Sequence, residues 1–264
     1  MNDVTCTVTA GIADVRLNRP GKLNALTLPM LHSLMATARG LRSDRSVRAV
    51  VISGVGDSFC AGLDFADTFD QRGRVIKGML PRPWRGTNTF QEACWTWRRL
   101  PVPVIAAVHG HCFGGGVQIA LGADFRITTP DAKWSVLEGK WGLIPDMSGI
   151  AALTQLMGIE QAKRLTMTAE VFSGDRACEL GLVSQVSVDP YADALVFASQ
   201  LATRSPDALA AAKRLFEKRW NSSPRRTFAR ERLEQVRLLT GENAKVAREA
   251  AFTRERPAFA PRSR

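Results

Sequence analysis

The sequence predicts an α/β protein that ends in an all-helical region, and three patterns carry that prediction. Short apolar runs, such as residues 49–52 and 104–108, are typical of buried strands. Segments with apolar residues at three- and four-residue steps alternate with these runs and indicate helices. From Pro190 onward only the helical spacing remains. We therefore divide the chain into a core over residues 1–195 and a C-terminal helical region over residues 196–264.

The N-terminal part begins with a predicted hairpin. Residues 4–8 and 12–17 alternate apolar and polar side chains around a tight Ala-Gly turn. A helix is predicted over 27–41, with Thr27 as its N-cap, and a buried strand over 47–53. Residues 65–100 carry no clean strand pattern and are interrupted by glycine and proline. We expect an irregular segment there, a lid or pocket wall or a plain connection, that closes with a helix over 92–99.

Shorter elements fill the middle of the chain. Strands are predicted over 102–108, 125–128, 134–137 and 183–188. Helices are predicted over 117–122, 150–157, 161–166 and 175–180. Beyond them we expect the helical tail to serve packing and contact between subunits rather than to form a separate module.

Composition excludes several classes of protein. With 264 residues and 45% hydrophobic side chains, the chain can bury a substantial core. Its five cysteines are odd in number and share no CxxC spacing, which indicates neither a disulfide framework nor a zinc site. No signal-peptide pattern and no apolar run of membrane-spanning length is present. We expect a reduced, cytoplasmic protein without a bound metal or a membrane contact.

The net charge of +11 is concentrated near the C-terminus. Residues 204–264 carry 16 Lys or Arg and 7 Asp or Glu. Three interpretations compete: a solvated helical surface, a nucleic-acid footprint, or a field that attracts an anionic small molecule. The first is favoured because the basic residues alternate with acids and apolar positions at helical spacing. No nucleic-acid motif accompanies them, so we expect no nucleic-acid partner.

Two glycine-bearing turns are the most informative feature of the chain. The first covers residues 59–64 and the second residues 110–116, and each follows a predicted strand. A strand that ends in a tight glycine turn leaves backbone N–H groups outside the hydrogen-bonded ladder. Two such turns brought together aim two donors at one oxygen, which is how a developing oxyanion is stabilised. Two carboxylates, Glu138 and Asp146, follow at a short distance in sequence.

These segments resemble the crotonase superfamily, the enoyl-CoA hydratase/isomerase family. The resemblance also includes residues 17–26, 104–124, 241–243 and 250–259, and so covers nearly the whole chain. It implies a crotonase-type ββα spiral core with a C-terminal all-helical oligomerisation region, assembled as a homotrimer or a dimer of trimers. It also implies an acyl-CoA substrate, and no cofactor beyond the coenzyme A moiety of that substrate.

The resemblance assigns binding roles to particular residues. The two backbone amides that hold the thioester oxygen in this family correspond to Leu63 and Gly115. Lys22 lies in the loop that approaches the phosphates, although a solvated lysine is an equally good interpretation. The residues implied to contact coenzyme A are Lys22, Leu23, Ala61, Leu63, Asp64, Phe65 and Gly115.

The resemblance also assigns the proton chemistry. Glu138 corresponds to the principal acid/base of the family, whereas the position of a second glutamate in its hydratases is Gln118 here. An amide can orient water or a substrate oxygen but cannot act as a general base. Asp146 falls where the dienoyl-CoA isomerases of the family carry an aspartate, as do its dehalogenases. It is also consistent with a helix N-cap.

We therefore expect a double-bond isomerase acting through an enolate held by the two amides. The first alternative is hydration of a 2-enoyl-CoA by Glu138 together with Gln118 or Asp146. An alternative of another class is a non-catalytic or RNA-binding relative that uses the basic C-terminal helices.

Other conspicuous side chains are interpreted as structural. His109 and His111 flank the second glycine turn, but no further ligand cluster supports a metal site. Cys60 and Cys112 lack an activating base nearby in sequence and are expected to be small buried hydrophobes. The aromatic and basic cluster at 95–99 would suit base stacking, yet a lid helix is the simpler interpretation.

Overall fold

Eight strands lie in two sheets within residues 2–70, 72–219 and 221–263, the residues that the computed structural model describes. The strands are β1 (Val4–Thr9), β2 (Ile12–Leu17), β3 (Ala49–Gly54), β4 (Val104–Val108), β5 (His111–Phe113), β6 (Phe125–Thr128), β7 (Lys133–Ser135) and β8 (Gln185–Val186). The larger sheet has the order β1-β2-β3-β4-β6-β8, and β5 pairs with β7 in the smaller one. Of the strand pairs in these described residues, β1–β2 is antiparallel and the others are parallel.

Helices surround these sheets and make up the C-terminal part. They are α1 (Leu28–Ser43), α2 (Phe65–Asp70), α3 (Arg72–Met79), α4 (Thr89–Arg98), α5 (Gly115–Ala120), α6 (Gly149–Leu156), α7 (Ile159–Thr168), α8 (Gly174–Glu179), α9 (Pro190–Ala202), α10 (Pro206–Arg219), α11 (Pro224–Leu239) and α12 (Glu242–Thr253). Short 3₁₀ turns occupy Pro20–Lys22 and Leu137–Trp141. This is the α/β architecture with a helical C-terminal region that the sequence predicts.

Strands β3 and β4 are covered on both faces, and every residue in them is buried, as expected for strands this rich in apolar side chains. Side chains alternate along a strand, so Val50 and Ile52 join the main hydrophobic core while Val51 points to the opposite face. There it packs with Ala194 and Ala198 of α9. Because β3 and β4 are parallel neighbours, the turns that follow them emerge at the same edge of the sheet.

The predicted start of α1 is confirmed. The side chain of Thr27 accepts a hydrogen bond from Met30 N at 3.3 Å, and proline stands in the first turn. The six residues of each hairpin strand also pair in the expected antiparallel register around the Ala10-Gly11 turn.

The prediction of an irregular segment over 65–100 is wrong in part. Helices α2 and α3 occupy its first half, although α3 contains two glycines that each disfavour a helix by about 1 kcal/mol. Helix α4 begins at Thr89, three residues before the predicted start. Asn88 and Gln91 form a capping box there, with bonds of 2.8 and 2.9 Å between each side chain and the other residue's amide.

Three short elements near the second glycine turn also differ from the prediction. Strand β5 was not predicted, since its three residues are too few to show a periodic pattern. Strand β7 ends at Ser135, because Leu137 already belongs to the 3₁₀ turn that carries Glu138. Helix α5 begins at Gly115, two residues before its predicted start.

The C-terminal helices are fastened to the core by buried cations. Lys213 of α10 donates to the carbonyl oxygens of Trp97 and Val102 at 3.0 Å each. The division of the chain after residue 195 stays a prediction, and it falls within α9. Among the described residues, no helix combines the length and apolar character that a membrane crossing needs.

Candidate active site

The two predicted glycine turns lie directly against each other. Cys60 N donates to His111 O at 2.9 Å, and Phe113 N donates to Cys60 O at 3.0 Å. A Cβ atom placed on Gly62 would stand 2.9 Å from Phe113 O and 3.8 Å from Gly115 N. Glycine at 62, with a φ of 96°, therefore permits an approach that another residue would obstruct.

Two backbone amides at this junction are free. Gly62 O accepts from Leu26 N at 2.8 Å, so the N–H of Leu63, on the opposite side of the same trans peptide, points away from Leu26. Gly115 is the first residue of α5, where an N–H has no acceptor within the helix. Neither amide donates a hydrogen bond to any described atom of the chain. These are the two amides that the family resemblance assigns to the oxyanion pocket.

Glu138 lies beside this pair of turns. Its carboxylate oxygens would be 3.4 and 3.8 Å from a Cβ atom placed on Gly114, the residue before the second free amide. The side chain is largely buried in the 3₁₀ turn after β7. Oε1 accepts a hydrogen bond from Gln118 at 2.6 Å, whereas Oε2 is buried and has no partner among the described residues.

Gln118 connects Glu138 to the start of helix α6. Its Oε1 accepts from Gly149 N at 2.9 Å, and its Nε2 donates to Glu138. A backbone N–H can only donate, and this fixes the orientation of the amide. The sequence led us to expect that Gln118 orients water or substrate. Instead, both ends of the amide bind protein groups, because the first amide of α6 comes within reach.

Asp146 is half-buried in the loop that precedes α6, close enough to Glu138 to affect it. The alternative role as helix N-cap is not what the structure shows. Ser148, in a left-handed conformation, occupies the cap position. The first amide of the helix binds Gln118 rather than Asp146. The carboxylate is thus not used to start the helix.

Burial shifts both carboxylic acids toward the protonated form. Loss of solvation raises the pKa of Glu138, and the negative charge of Asp146 raises it further, against a lowering by the bond from Gln118. Burial also raises the pKa of Asp146. Carboxylic acids shifted in this direction are suited to taking and returning a proton near neutral pH.

The loop before α1 is held to the first turn by Asn24, which the sequence analysis did not single out. Its Oδ1 accepts from Arg19 N at 2.7 Å, and its Nδ2 donates to Val55 O at 3.0 Å and Ser58 O at 2.7 Å. Asn24 is fully buried with a φ of 56°. Asparagine tolerates this left-handed conformation, which was the one local signal in the sequence.

The residues expected to contact coenzyme A line the same region. Lys22 is exposed, and Ala61 N donates to Leu23 O at 2.9 Å, which joins the loop to the first turn. The carboxylate of Asp64 is engaged by Arg19 at 3.2 Å and by the Asp67 amide at 3.3 Å. Its side chain thus serves the protein rather than standing free for a ligand.

Phe65 and Trp141 form an aromatic wall. Their ring centres are 4.7 Å apart with an angle of 39° between the planes. Phe65 opens helix α2 and Trp141 ends the 3₁₀ turn that carries Glu138. Trp141 remains 54% exposed, so part of this wall is in contact with solvent.

The histidines and cysteines near the turns have structural partners. His109 binds the carbonyl of a loop glycine at 2.7 Å, and His111 binds Ser58 Oγ at 2.9 Å. Burial raises the pKa of the Cys60 thiol to about 12, and the thiol donates to a backbone carbonyl. No three His, Cys, Asp or Glu side chains of the described residues are grouped so that they could hold a metal ion.

Comparison with known protein sequences identifies one family. The enoyl-CoA hydratase/isomerase family model matches residues 7–259. Enoyl-CoA hydratase domain-containing protein 2 of Bos taurus is 35% identical over 175 residues, 66% of this chain and 57% of that protein. The mitochondrial Delta(3,5)-Delta(2,4)-dienoyl-CoA isomerase of Homo sapiens is 33% identical over 210 residues, 76% of this chain and 64% of that protein. The chain thus spans less than two thirds of the length of these curated relatives.

Solved structures match over nearly the whole length. An enoyl-CoA hydratase from Polaromonas sp. JS666 has a TM-score of 0.88 and 28% identity, covering 97% of this chain and 99% of that one. An enoyl-CoA hydratase from Mycobacterium tuberculosis H37Rv has a TM-score of 0.87 and 27% identity, covering 98% and 99%. These similarities confirm the crotonase-type fold that the sequence predicts.

Proposed function

This chain belongs to the enoyl-CoA hydratase/isomerase family, and we propose that it shifts a double bond in the acyl chain of an acyl-CoA thioester. The observation that carries the proposal is the buried Oε2 of Glu138 beside the two backbone amides, none of which has a hydrogen-bond partner among the described residues. Relatives named as dienoyl-CoA isomerases support the choice of isomerisation.

The first step is binding of the thioester oxygen. Its carbonyl accepts hydrogen bonds from the N–H groups of Leu63 and Gly115, which have no other partner among the described residues. When a proton leaves the carbon chain, the electron pair moves onto this oxygen. Preorganised donors of this kind are each worth about a hundred- to a thousandfold in rate.

Proton transfer then falls to the carboxylates. Glu138 Oε2 takes a proton from the acyl chain, and the resulting enolate is conjugated with the existing double bond. Asp146 returns a proton to a different carbon, which moves the double bond without a net change in composition. Exchange with solvent restores both acids to their starting protonation. The raised pKa values of the two groups favour this exchange.

Gln118 acts here as a positioning residue. Its amide holds Glu138 Oε1 at 2.6 Å and leaves Oε2 as the oxygen that meets substrate. Because the amide is not a base, Gln118 cannot activate water for addition to a double bond. This absence of a second glutamate is the reason for placing isomerisation before hydration.

Hydration of a 2-enoyl-CoA is the second candidate. It is favoured by the solved neighbours named as enoyl-CoA hydratases. In that reaction Glu138 acts on water, either with Asp146 or with Gln118 holding the Glu138 carboxylate in place.

The test compares two substrates on the wild type and on Gln118→Glu. With 3,5-dienoyl-CoA we expect the wild type to form the conjugated 2,4-dienoyl product, followed by its absorbance. With 2-enoyl-CoA we expect little hydration until glutamate stands at 118. Gln200→Glu, an exposed change on α9, is the matched control. Wild-type hydration faster than isomerisation would establish the second candidate instead.

Location and assembly stay predictions. The relatives described above are named mitochondrial, and another is named peroxisomal, so a cytoplasmic location is not supported by them. A homotrimer or dimer of trimers rests on the family resemblance, and sedimentation of the purified protein measures it directly.

A further inference from the structure

A cavity of about 500 Å³ lies between the end of α4 and helices α10 and α11. Eight Lys or Arg side chains line it, against two Glu. It shares no lining residue with the candidate active site. Like charges gathered in a concave surface raise the local potential and attract anions.

Part of this charge converges on one buried carboxylate. Glu234 of α11 is 3% exposed, and its oxygens lie 2.9 Å from Arg214, 2.7 Å from Arg230 and 3.6 Å from Arg237. One negative charge thus faces three guanidinium groups, each between a quarter and two fifths exposed. Among these four side chains the positive charges outnumber the negative one by two, and the nearby carboxylate of Asp207 also interacts with Arg214.

Other lining cations have acidic partners. Three more are paired at 2.6–2.7 Å, namely Arg98 with Glu217, Arg99 with Glu92 and Lys213 with Asp124. Arg42 and Lys218 are exposed and form no ion pair within the described part of the chain. Even when every acidic partner is counted, the cavity therefore keeps a clear excess of positive charge.

The chemistry of the wall narrows the ligand class. Guanidinium groups bind phosphate oxygens in pairs, and a cavity of this volume holds more than one phosphoryl group. The indole of Trp95 also lines the cavity, with the guanidinium of Arg98 4.6 Å from its ring centre. A flat aromatic surface next to several cations suits phosphates that are free or attached to a planar base.

We propose that this cavity binds a compact polyphosphate, a chain of two or three phosphoryl groups that is either free or carried by a nucleoside, at a site separate from the thioester site. The proposal does not depend on which reaction Glu138 catalyses.

Calorimetric titration with inorganic tripolyphosphate tests it, at about 150 mM salt to screen diffuse attraction. The informative variant is Arg42→Gln with Lys218→Gln, since neither side chain has an ion pair in the described part of the chain and the buried pairs stay intact. Its matched control is Arg248→Gln with Lys163→Gln, which removes the same charge from exposed positions outside the cavity. We expect saturable binding that weakens at least tenfold in the first variant and less than twofold in the control.

Two further measurements identify the source of the phosphate groups and test whether the cavity is separate from the thioester site. Tighter binding of ADP than of tripolyphosphate, lost in Trp95→Leu, identifies a nucleoside-borne ligand, whereas equal binding identifies a free polyphosphate. The second measurement repeats the tripolyphosphate titration with an acyl-CoA that has no double bond, at a concentration that fills the thioester site. Unchanged tripolyphosphate affinity supports a separate site, and competition between tripolyphosphate and the acyl-CoA overturns it.

Absence of saturable binding, or equal weakening in both double variants, shows only diffuse charge attraction and overturns the proposal. Binding of an oligonucleotide through Arg42 and Lys218 without binding of tripolyphosphate would also show that the ligand class is wrong.

Discussion

The two oxygens of Glu138 have different environments. Oε1 is held by Gln118 at 2.6 Å, and Oε2 is buried without a partner among the described residues. A carboxylate fixed at one end presents its other oxygen in a defined position, which general acid–base catalysis requires. At the scale of single residues, this asymmetry is what suits Glu138 to proton transfer.

Glu138→Gln should abolish turnover of the preferred acyl-CoA, with a loss of about a hundred- to ten-thousandfold in kcat. The amide keeps the shape of the side chain but cannot take a proton. Glu160→Gln, an exposed change at the start of α7, is the control. Rates of product formation give the comparison, and circular dichroism checks that both variants are folded. Activity near the wild-type level in Glu138→Gln would remove Glu138 from the mechanism.

Asp146→Asn should remove the alkaline limb of the pH–rate profile. The proposed reaction needs Glu138 ionised and Asp146 protonated, and burial raises the pKa of Asp146. Loss of the Asp146 proton at high pH stops proton delivery in the wild type, whereas asparagine does not titrate. The pH dependence of kcat/KM in both proteins measures the difference, with residual activity in the variant being sufficient. An alkaline limb that persists unchanged in the variant would show that Asp146 is not the proton donor.

The same pKa shifts act on stability. For a carboxyl group whose folded pKa is raised, the contribution to the free energy of unfolding is complete below the unfolded pKa. It is lost as the pH rises through the folded pKa. Asp146 and Glu138 therefore oppose stability near neutral pH, and this cost is consistent with retention for function rather than for packing.

At the scale of residues, the sequence analysis identified those that stand in a recognisable local pattern. Leu63 and Gly115 stand in glycine turns that follow apolar runs, and the structure brings those turns together. The bond from Gly149 to Gln118 joins residues 31 positions apart, and no periodic pattern announces it. Asn24 likewise binds carbonyls 31 and 34 positions away. Such contacts depend on tertiary packing, which is why the sequence did not reveal what the side-chain amides of Gln118 and Asn24 bind.

At the scale of elements, the site is a junction of two strand ends. The edge of a parallel sheet places both glycine turns together, and the absence of side chains lets their backbones touch. Gly62 directly precedes the Leu63 amide, and it combines a left-handed conformation with contact to the opposite turn.

Gly62→Ala should separate the turns and misplace the neighbouring Leu63 amide. The new Cβ would stand 2.9 Å from Phe113 O in a conformation that alanine disfavours. We expect loss of about a hundredfold or more in kcat, with strain of about 1–3 kcal/mol. Gly21→Ala is the control, since nothing lies within 4 Å of its Cβ position. Steady-state kinetics and urea unfolding separate the two effects, and unimpaired turnover in Gly62→Ala would contradict the oxyanion assignment.

The helices and strands predicted best are those with a clear capping residue or a clear apolar pattern in the sequence. Helix α1 was placed correctly from Thr27 and the proline after it. The capping box of Asn88 and Gln91 is readable in the sequence, but the preceding glycines and prolines obscured it. Helices α2 and α3 have no such signal, and α3 is held with glycines in its interior, so local propensity gave the wrong answer.

At the scale of the whole molecule, the chain after α12 returns to the core. Arg262 is buried, and its guanidinium donates to the carbonyls of Val47, Arg42 and Asp44 at 3.1 Å each. These acceptors lie in the last turn of α1 and in the connection from α1 to β3. The last segment of the described chain is thereby tied to the sheet that carries the site.

Arg262→Ala should lower the free energy of unfolding by about 2 kcal/mol or more, because buried carbonyls lose charged donors. Arg256→Ala, an exposed arginine in the same segment, should change it by less than about 0.5 kcal/mol. Urea denaturation followed by tryptophan fluorescence measures both. Equal midpoints in the two variants would show that this attachment contributes nothing to stability.

The bond between Gly149 and Gln118 bears on how such an enzyme changes its reaction in evolution. A glutamate at 118 would still accept the Gly149 amide, and its other oxygen would stand where the amide nitrogen now lies, 2.6 Å from Glu138. Two carboxylates so close cannot both be ionised, so they would share one proton. Glutamine and glutamate codons differ by a single base, and one mutation therefore separates a clamped carboxylate from a proton-sharing pair.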